Sequence, residues 1–262
     1  MHEQRPSRRP WPVRRLRTVV AIVAAVTASS AGAADLTLLC AGALKAPISA
    51  LLAKRDASLP HVAVTFATAG VIREKIAKGE RPDVVIAPSE DIYSLMKQKL
   101  IDVSTRRPLG GTEVGVAVKA GAPVPNIATP DALRATLLAA RKVVIVDPAK
   151  GTSGRLVESL FKEMHIDEQM RDKTIKVDGG YVVEAVARGE ADLGLQQISE
   201  ILPVAGVKLV GPLPGDLQRL TRYDMAMLVG TTHRKDADAL VRDLSSRDAH
   251  AMIEKSGFMA AR

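Results

Sequence analysis

The 262-residue chain carries 37 lysines and arginines against 29 acids, a formal net charge of +8. Six of those arginines (Arg5, Arg8, Arg9, Arg14, Arg15, Arg17) and one acid, Glu3, fall within residues 1–33, which leaves only +3 for the rest. Beyond residue 33 no basic cluster is interleaved with aromatics, the pattern by which single-strand binders stack bases, so nucleic acid is excluded as a partner.

The arginine-rich start runs into the apolar "VVAIVAAVTA" and then "SSAGAAD". A basic region, an apolar stretch and a small-x-small site at Ala31–Ala33 describe an export signal cleaved after Ala33. A membrane anchor needs roughly 20 apolar residues, and this run is shorter. "SRRPW" gives a weak twin-arginine alternative. Cys40 is the only cysteine, so no internal disulfide is available. Leu39 in front of it, where a small residue would be needed, argues against a lipid anchor. The single tryptophan, Trp11, lies in the signal, and the aromatics that follow are Phe66, Tyr93, Phe161, Tyr181, Tyr223 and Phe258.

The elements then alternate. "DLTLLCAGAL" predicts a strand leading into the helix "KAPISALLAKR". "HVAVTFATAG" predicts a strand before "VIREKIAKGE", and "PDVVIAPSE" a strand before "DIYSLMKQKLI". "TEVGVAVKAG" is a further strand, followed by a helix over 131–140, the strand "KVVIVDP" and the helix "GRLVESLFKEM". "KTIKVDGG", the helix "YVVEAVARGE" and the strand "DLGLQQ" come next, and "KLVGPLPGDLQ" leads to the strand "RYDMAMLVGT". Two amphipathic helices, "DADALVRDLSS" and "DAHAMIEKS", close the chain. Strands alternating with helices of this length predict parallel α/β sheets.

The strands fall into two sets. Residues 34–115 and 221–262 are expected to form one lobe, and 116–220 the other. Each lobe would be a mainly parallel sheet flanked by helices, with a ligand cleft between them. In open α/β sheets ligands bind beyond the carboxyl ends of strands. Five strand ends lie there. "CAGA" (Cys40, Ala41, Gly42, Ala43) and "ATAG" (with Thr68, Ala69, Gly70) offer close backbone approach or tight strand–helix packing. "GTSG" (Gly151, Thr152, Ser153, Gly154) stands before a helix expected to open at Gly154 or Arg155. Free N–H groups and the dipole there favour an anion, and N-capping by Thr152 or Ser153 is the alternative use of the hydroxyls. Gln196, Gln197 and Ser199 follow the strand "DLGLQQ" and meet either ligand or water. Ser89 can cap the helix after "VVIAP" or face the cleft.

Enzyme chemistry has little to draw on. The histidines are scattered, with no metal-ligand spacing, and no nucleophile–base set gathers at strand ends. Asp83 and Asp192 each follow a helix-ending glycine and read as turn residues. The expectation is a protein that is not an enzyme, with no metal and no cofactor.

Several segments carry a family signal: "FATAGVIREKIAKGERPDVVIA", "KLIDVSTRRPLGGTEVGVAV", "VVIVDPAKGTSG", "AVARGEADLGL" and "LVRDLSSRDAHAMIEKSGF". They span nearly the whole chain after the signal. The chain resembles the periplasmic molybdate-binding proteins of ABC importers, a branch of the type II bacterial solute-binding fold. That resemblance implies a monomeric two-lobed protein in the periplasm that closes on a small solute and delivers it to a membrane permease. The binding loops depart from the pattern. Ala43 stands where the family has a serine, Thr68 and Ala69 replace neighbouring serines, "GTSG" replaces a proline turn, and Gln197 replaces a tyrosine. The implied ligand is a small anion, a molybdate-like oxyanion first and a small organic acid second. A sensory subunit uncoupled from transport is the other role, and the few aromatics disfavour sugars.

Overall fold

A computed structural model describes residues 35–261 and His2. Apart from His2, the expected export signal lies outside the described residues.

The first strand–helix units are β1 (Leu36–Ala41), a 3-10 turn at Gly42–Leu44 and α1 (Lys45–Ala53), then β2 (Val62–Ala67) with α2 (Ala69–Ala77), and β3 (Val84–Pro88) with α3 (Ser89–Lys97). β1 pairs with β2 and with β3 in parallel. All five residues of β3 are buried, as expected for a strand covered on both faces. β4 (Arg107–Lys119) is longer than the sequence predicts. Its register shifts between Pro108 and Gly110, and Gly110 takes φ +103, so a bulge lets the strand begin before the apolar run.

α4 (Pro130–Ala139) opens on Thr129, whose side chain accepts from the Ala132 N–H, with proline in its first turn, an arrangement suited to a helix start. β5 (Val143–Val146), α5 (Thr152–Glu163), α6 (Asp167–Arg171), β6 (Thr174–Val177) and α7 (Glu184–Arg188) follow. α7 stops at Gly189, which adopts a left-handed φ of +80. Then come β7 (Leu193–Gln197), α8 (Ile198–Ile201), β8 (Val207–Pro212), β9 (Leu220–Met227), α9 (Arg234–Leu244) and α10 (Arg247–Lys255). α6, α8 and β8 are not apparent from the sequence pattern. α6 and α8 are a single turn or little more, and β8 alternates only over Val207–Leu209 before Val210, Gly211 and Pro212 break the pattern.

The strand order is β2-β1-β3-β9-β4-β7-β5-β6, with β8 also on β4. β5 pairs in parallel with β6 and β7. The antiparallel pairs all involve β4 or β9. β4 joins the halves: Arg107–Glu113 pair with β9, and Val114–Val118 pair with β7. One core gathers Leu38, Ile48, Ile72, Ile86 and Met225 with Leu240 and Ile253 from α9 and α10. Beyond β4, strand alternation divides β5 between two cores. Val143 and Ile145 pack with Leu133, Val157 and Phe161, while Val144 and Val146 pack with Val183, Val186 and Ile201.

The end of the chain folds back on β4. Gly111 N–H donates to the Met259 carbonyl (3.1 Å) and Met259 N–H returns a bond to Gly111 (2.7 Å), while the Thr112 hydroxyl donates to the Gly257 carbonyl at 3.0 Å. A side chain at Gly110 would meet the Met259 oxygen at 2.3 Å.

Asp83 and Asp192 are anchors rather than turn residues. Asp83 accepts from the Thr37 N–H (2.8 Å) and hydroxyl (2.7 Å), from Thr231, and meets His233 Nδ1 at 3.1 Å. Burial pushes its carboxyl up, but those hydrogen bonds outweigh it and hold the group below its usual range. Asp192 accepts from the Arg141 backbone and guanidinium. Both lie at strand starts, far along the sheet from the cleft.

Candidate functional site

Four strands end on one hollow: β1 at Ala41, β2 at Ala67, β5 at Val146 and β7 at Gln197. Each is followed within a few residues by a helical turn. The hollow is a cavity of roughly 450 Å³, within the roughly 300–1,000 Å³ range of small-molecule sites.

The hydroxyl loops are there. Thr68 precedes α2 without capping it, and its Oγ1 is buried with no partner. Gly151 is the N-cap of α5, so Thr152 and Ser153 lie inside the helix's first turn and make no capping bond. The helix therefore opens two or three residues earlier than the sequence suggests. With capping removed as their use, both side chains line the cavity, as do Ala41, Gly42, Ala43, Ala69 and Gly151.

Other expected residues stand elsewhere. Cys40 is fully buried in the first core, its thiol against the Ala41 carbonyl at 3.5 Å, and burial pushes its pKa far up. Its side chain does not reach the cavity, because a strand covered on both faces buries alternate residues on either side. Gly70 and Gly154 serve close approach. The Gly70 N–H donates to the Lys150 carbonyl across the cleft (2.8 Å), and a side chain at Gly154 would strike the Val146 oxygen at 2.1 Å. Ser89 opens α3 without a side-chain cap and lines a separate hollow with Glu90 and Arg155, which pair at 3.2 Å. Ser199 is buried, unpartnered and outside the cavity, its backbone beside Gly257.

The amides are largely spent on the scaffold. Gln196 donates to the Gly180 carbonyl at 2.7 Å, supporting the Asp178–Tyr181 wall. Gln197 lines the cavity, but its carboxamide is satisfied with nitrogen toward the Thr112 and Glu113 carbonyls (3.2 Å each) and oxygen accepting from Thr221 (3.0 Å). It ties β7 to β4, the strand that joins the halves, and to the start of β9.

The sequence reading misses Lys45, Asp178, Tyr181, Glu200 and Tyr223, all of which line the cavity. Lys45 Nζ lies 5.1 Å from the centre of the Tyr181 ring, a cation–π distance. Glu200 is buried in the first turn of α8. Burial raises its carboxyl from the ordinary 4.5 to about 8, with the Gln196 side chain opposing, so it holds a proton at neutral pH. Burial also raises Tyr181 and Tyr223, and Glu200, ionised at the alkaline pH where phenols titrate, adds to each. The only signal for Glu200 was its place three residues after Gln197, where a helical turn brings it to the same mouth.

A two-part α/β sheet with a cavity at converging strand ends defines a two-lobed binding protein of the type II periplasmic class. The model of the bacterial extracellular solute-binding protein family matches residues 36–259, and the chain belongs to that family. A protein named aconitate isomerase from Pseudomonas sp is 36% identical over 190 residues, covering 72% of each chain. A putative ABC transporter substrate-binding lipoprotein from Bacillus subtilis (strain 168) is 23% identical over 204 residues, 76% of each. Among solved structures, the Azotobacter vinelandii periplasmic molybdate-binding protein superposes with a TM-score of 0.73 at 15% identity, covering 87% of this chain and all of that one. Among the described residues no helix is long and apolar enough to cross a membrane.

Proposed function

We propose that this protein captures a small organic polycarboxylate of the aconitate kind, in place of a molybdate-like oxyanion. The observation that carries the reading is the make-up of the cavity. Its donors are the helix starts at Ala69 and Thr152, the Thr68, Thr152 and Ser153 hydroxyls and Lys45, which suit carboxylate oxygens. Between them stand Ala41, Ala43, Phe66, Val71 and Val146, apolar surface that suits a carbon skeleton. A tetrahedral oxyanion would fill a corner of this space. The 36% identity to a protein named for aconitate supports the same choice, whereas likeness at 15% speaks for the fold alone.

The role that accompanies this reading is a periplasmic one. The chain, exported and cleaved after Ala33, closes its lobes on the acid and presents it to a membrane permease as a monomer. The ligand sits where residues 34–115 with 221–262 face residues 116–220. A second reading, isomerisation of the bound acid, is favoured by Glu200, a buried acid that a carboxylate-binding site has no need of. Titration calorimetry of the chain without residues 1–33 tests the ligand. Heat is expected with cis- or trans-aconitate and none with molybdate at the same concentration. Tight molybdate binding with no response to the tricarboxylates would refute the reading.

A further inference from the structure

Glu200 stands apart from the other groups of the cavity. Asp178 also lines it but is solvent-exposed, whereas Glu200 is only 9% exposed. Among the described residues no cation acts on Glu200. Its Oε1 lies 3.2 Å from where a side chain at Gly42 would begin. The carboxyl of α8 thus reaches across to the turn that follows β1, and glycine there leaves room for it. The phenols of Tyr181 and Tyr223 line the same cavity from the wall after Gly180 and from β9.

An anion is held by donors, and an ionised carboxylate among them opposes binding. A buried acid that gains and loses its proton near neutrality does suit proton transfer. Resting on the polycarboxylate reading, we infer that Glu200 is a catalytic acid–base that moves a proton between two carbons of a bound unsaturated polycarboxylate. The ionised carboxylate takes a proton from the methylene carbon next to the double bond. The C–H bond breaks, and its electron pair spreads over the three-carbon unit and the attached carboxylates. The carboxylic acid so formed returns the proton to the former vinylic carbon, and the double bond closes between the other two. Atoms and electrons balance with no oxidant or reductant, and the product differs from the substrate in the place or geometry of its double bond. Thr68, Thr152, Ser153 and Lys45 hold the carboxylates meanwhile.

The test uses trans-aconitate and cis-aconitate as probes in deuterium oxide, with proton NMR following loss of carbon-bound hydrogen and calorimetry following binding. The native protein should bind, exchange the methylene and vinylic hydrogens, and interconvert the isomers. Glu200→Gln has the shape of the neutral acid. It should bind within about threefold of the native protein and lose exchange by at least a hundredfold, the low end of the roughly 10²–10⁴ that acid–base groups contribute. Exchange at the native rate in Glu200→Gln overturns the assignment. Binding by the native protein without exchange also overturns it, leaving the carboxyl as a hydrogen-bond donor and the polycarboxylate reading intact. Absence of binding to either isomer removes both.

Discussion

Gly70 offers a perturbation whose cost should appear in binding more than in folding. It sits in the first turn of α2, on the cleft side, and its backbone does not need a positive φ. An alanine side chain there would stand 2.5 Å from the Lys150 oxygen, 3.0 Å from its carbonyl carbon and 3.1 Å from the Ala149 oxygen. These are backbone atoms of the facing loop and cannot swing aside as a side chain would. The loop must therefore retreat until the 2.8 Å bond from Gly70 N–H to Lys150 passes the ~3.2 Å limit of good geometry. Losing that bond costs about 0.5–1.5 kcal/mol, so Kd for the aconitate probe should rise about 2- to 12-fold. Alanine, meanwhile, favours a helix by about 0.5–1 kcal/mol over glycine. The helix gain offsets most of the lost bond, so Gly70→Ala should melt close to the native protein while binding more weakly. Calorimetry and thermal melting on one preparation decide it. An unchanged Kd would refute the claim that this contact helps hold the lobes together over the ligand.

Replacing Thr152 and Ser153 together by alanine removes the hydroxyls of two cavity-lining residues, one of which, Thr152, also accepts from Arg155 at 3.4 Å. At about 1.5–3 kcal/mol for each bond to a charged partner, calorimetry should show affinity falling at least tenfold, and because neither residue is a cap the melting temperature should barely move. The raised pKa of Glu200 predicts a pH effect on stability. A carboxyl whose folded pKa lies above its unfolded one contributes fully below the unfolded value, and that contribution is lost as pH rises to the folded one. Urea titrations should therefore show stability falling by as much as ~1.4 kcal/mol per pH unit between 4.5 and about 8, and Glu200→Gln should flatten that slope. Cys40 should react with thiol reagents only on unfolding, at the same slow rate with and without ligand. Faster labelling of the empty protein would place its thiol in the cleft after all.

The lobes were legible because buried parallel strands write themselves as short apolar runs. "VVIAP" and "VVIV" are buried from end to end, and helices begin at Ser89 directly after the first and after Gly151 beyond the second. The same property hid which way Cys40 points, since a strand covered on both faces gives no polar–apolar alternation to read. The loops at Thr68 and Thr152 were legible as strand ends, a position fixed by topology. Lys45, Tyr181 and Tyr223 were not. Each reaches the cavity from a different element, and their meeting depends on how the halves lie across β4. Glu200 sat in plain view among polar neighbours, but nothing in one dimension distinguishes an acid that faces water from one that burial strips of its charge. Capping was misplaced by one or two residues because Gly151, not the hydroxyl residues after it, takes the extended conformation.

The return of Met259 onto Gly111 bears on how this molecule could be turned into an instrument. Ala260 is exposed, and it directly follows the residue that is bonded to the strand joining the two halves. A reporter dye placed there rides on the joint itself rather than on either lobe's outer wall. Because the native thiol is sealed in the core, Ala260→Cys supplies a single attachment point without any further change to the chain. Emission from such a conjugate would register lobe movement as solute arrives, and a bulky carboxyl-terminal fusion would load the same joint and shift the apparent affinity.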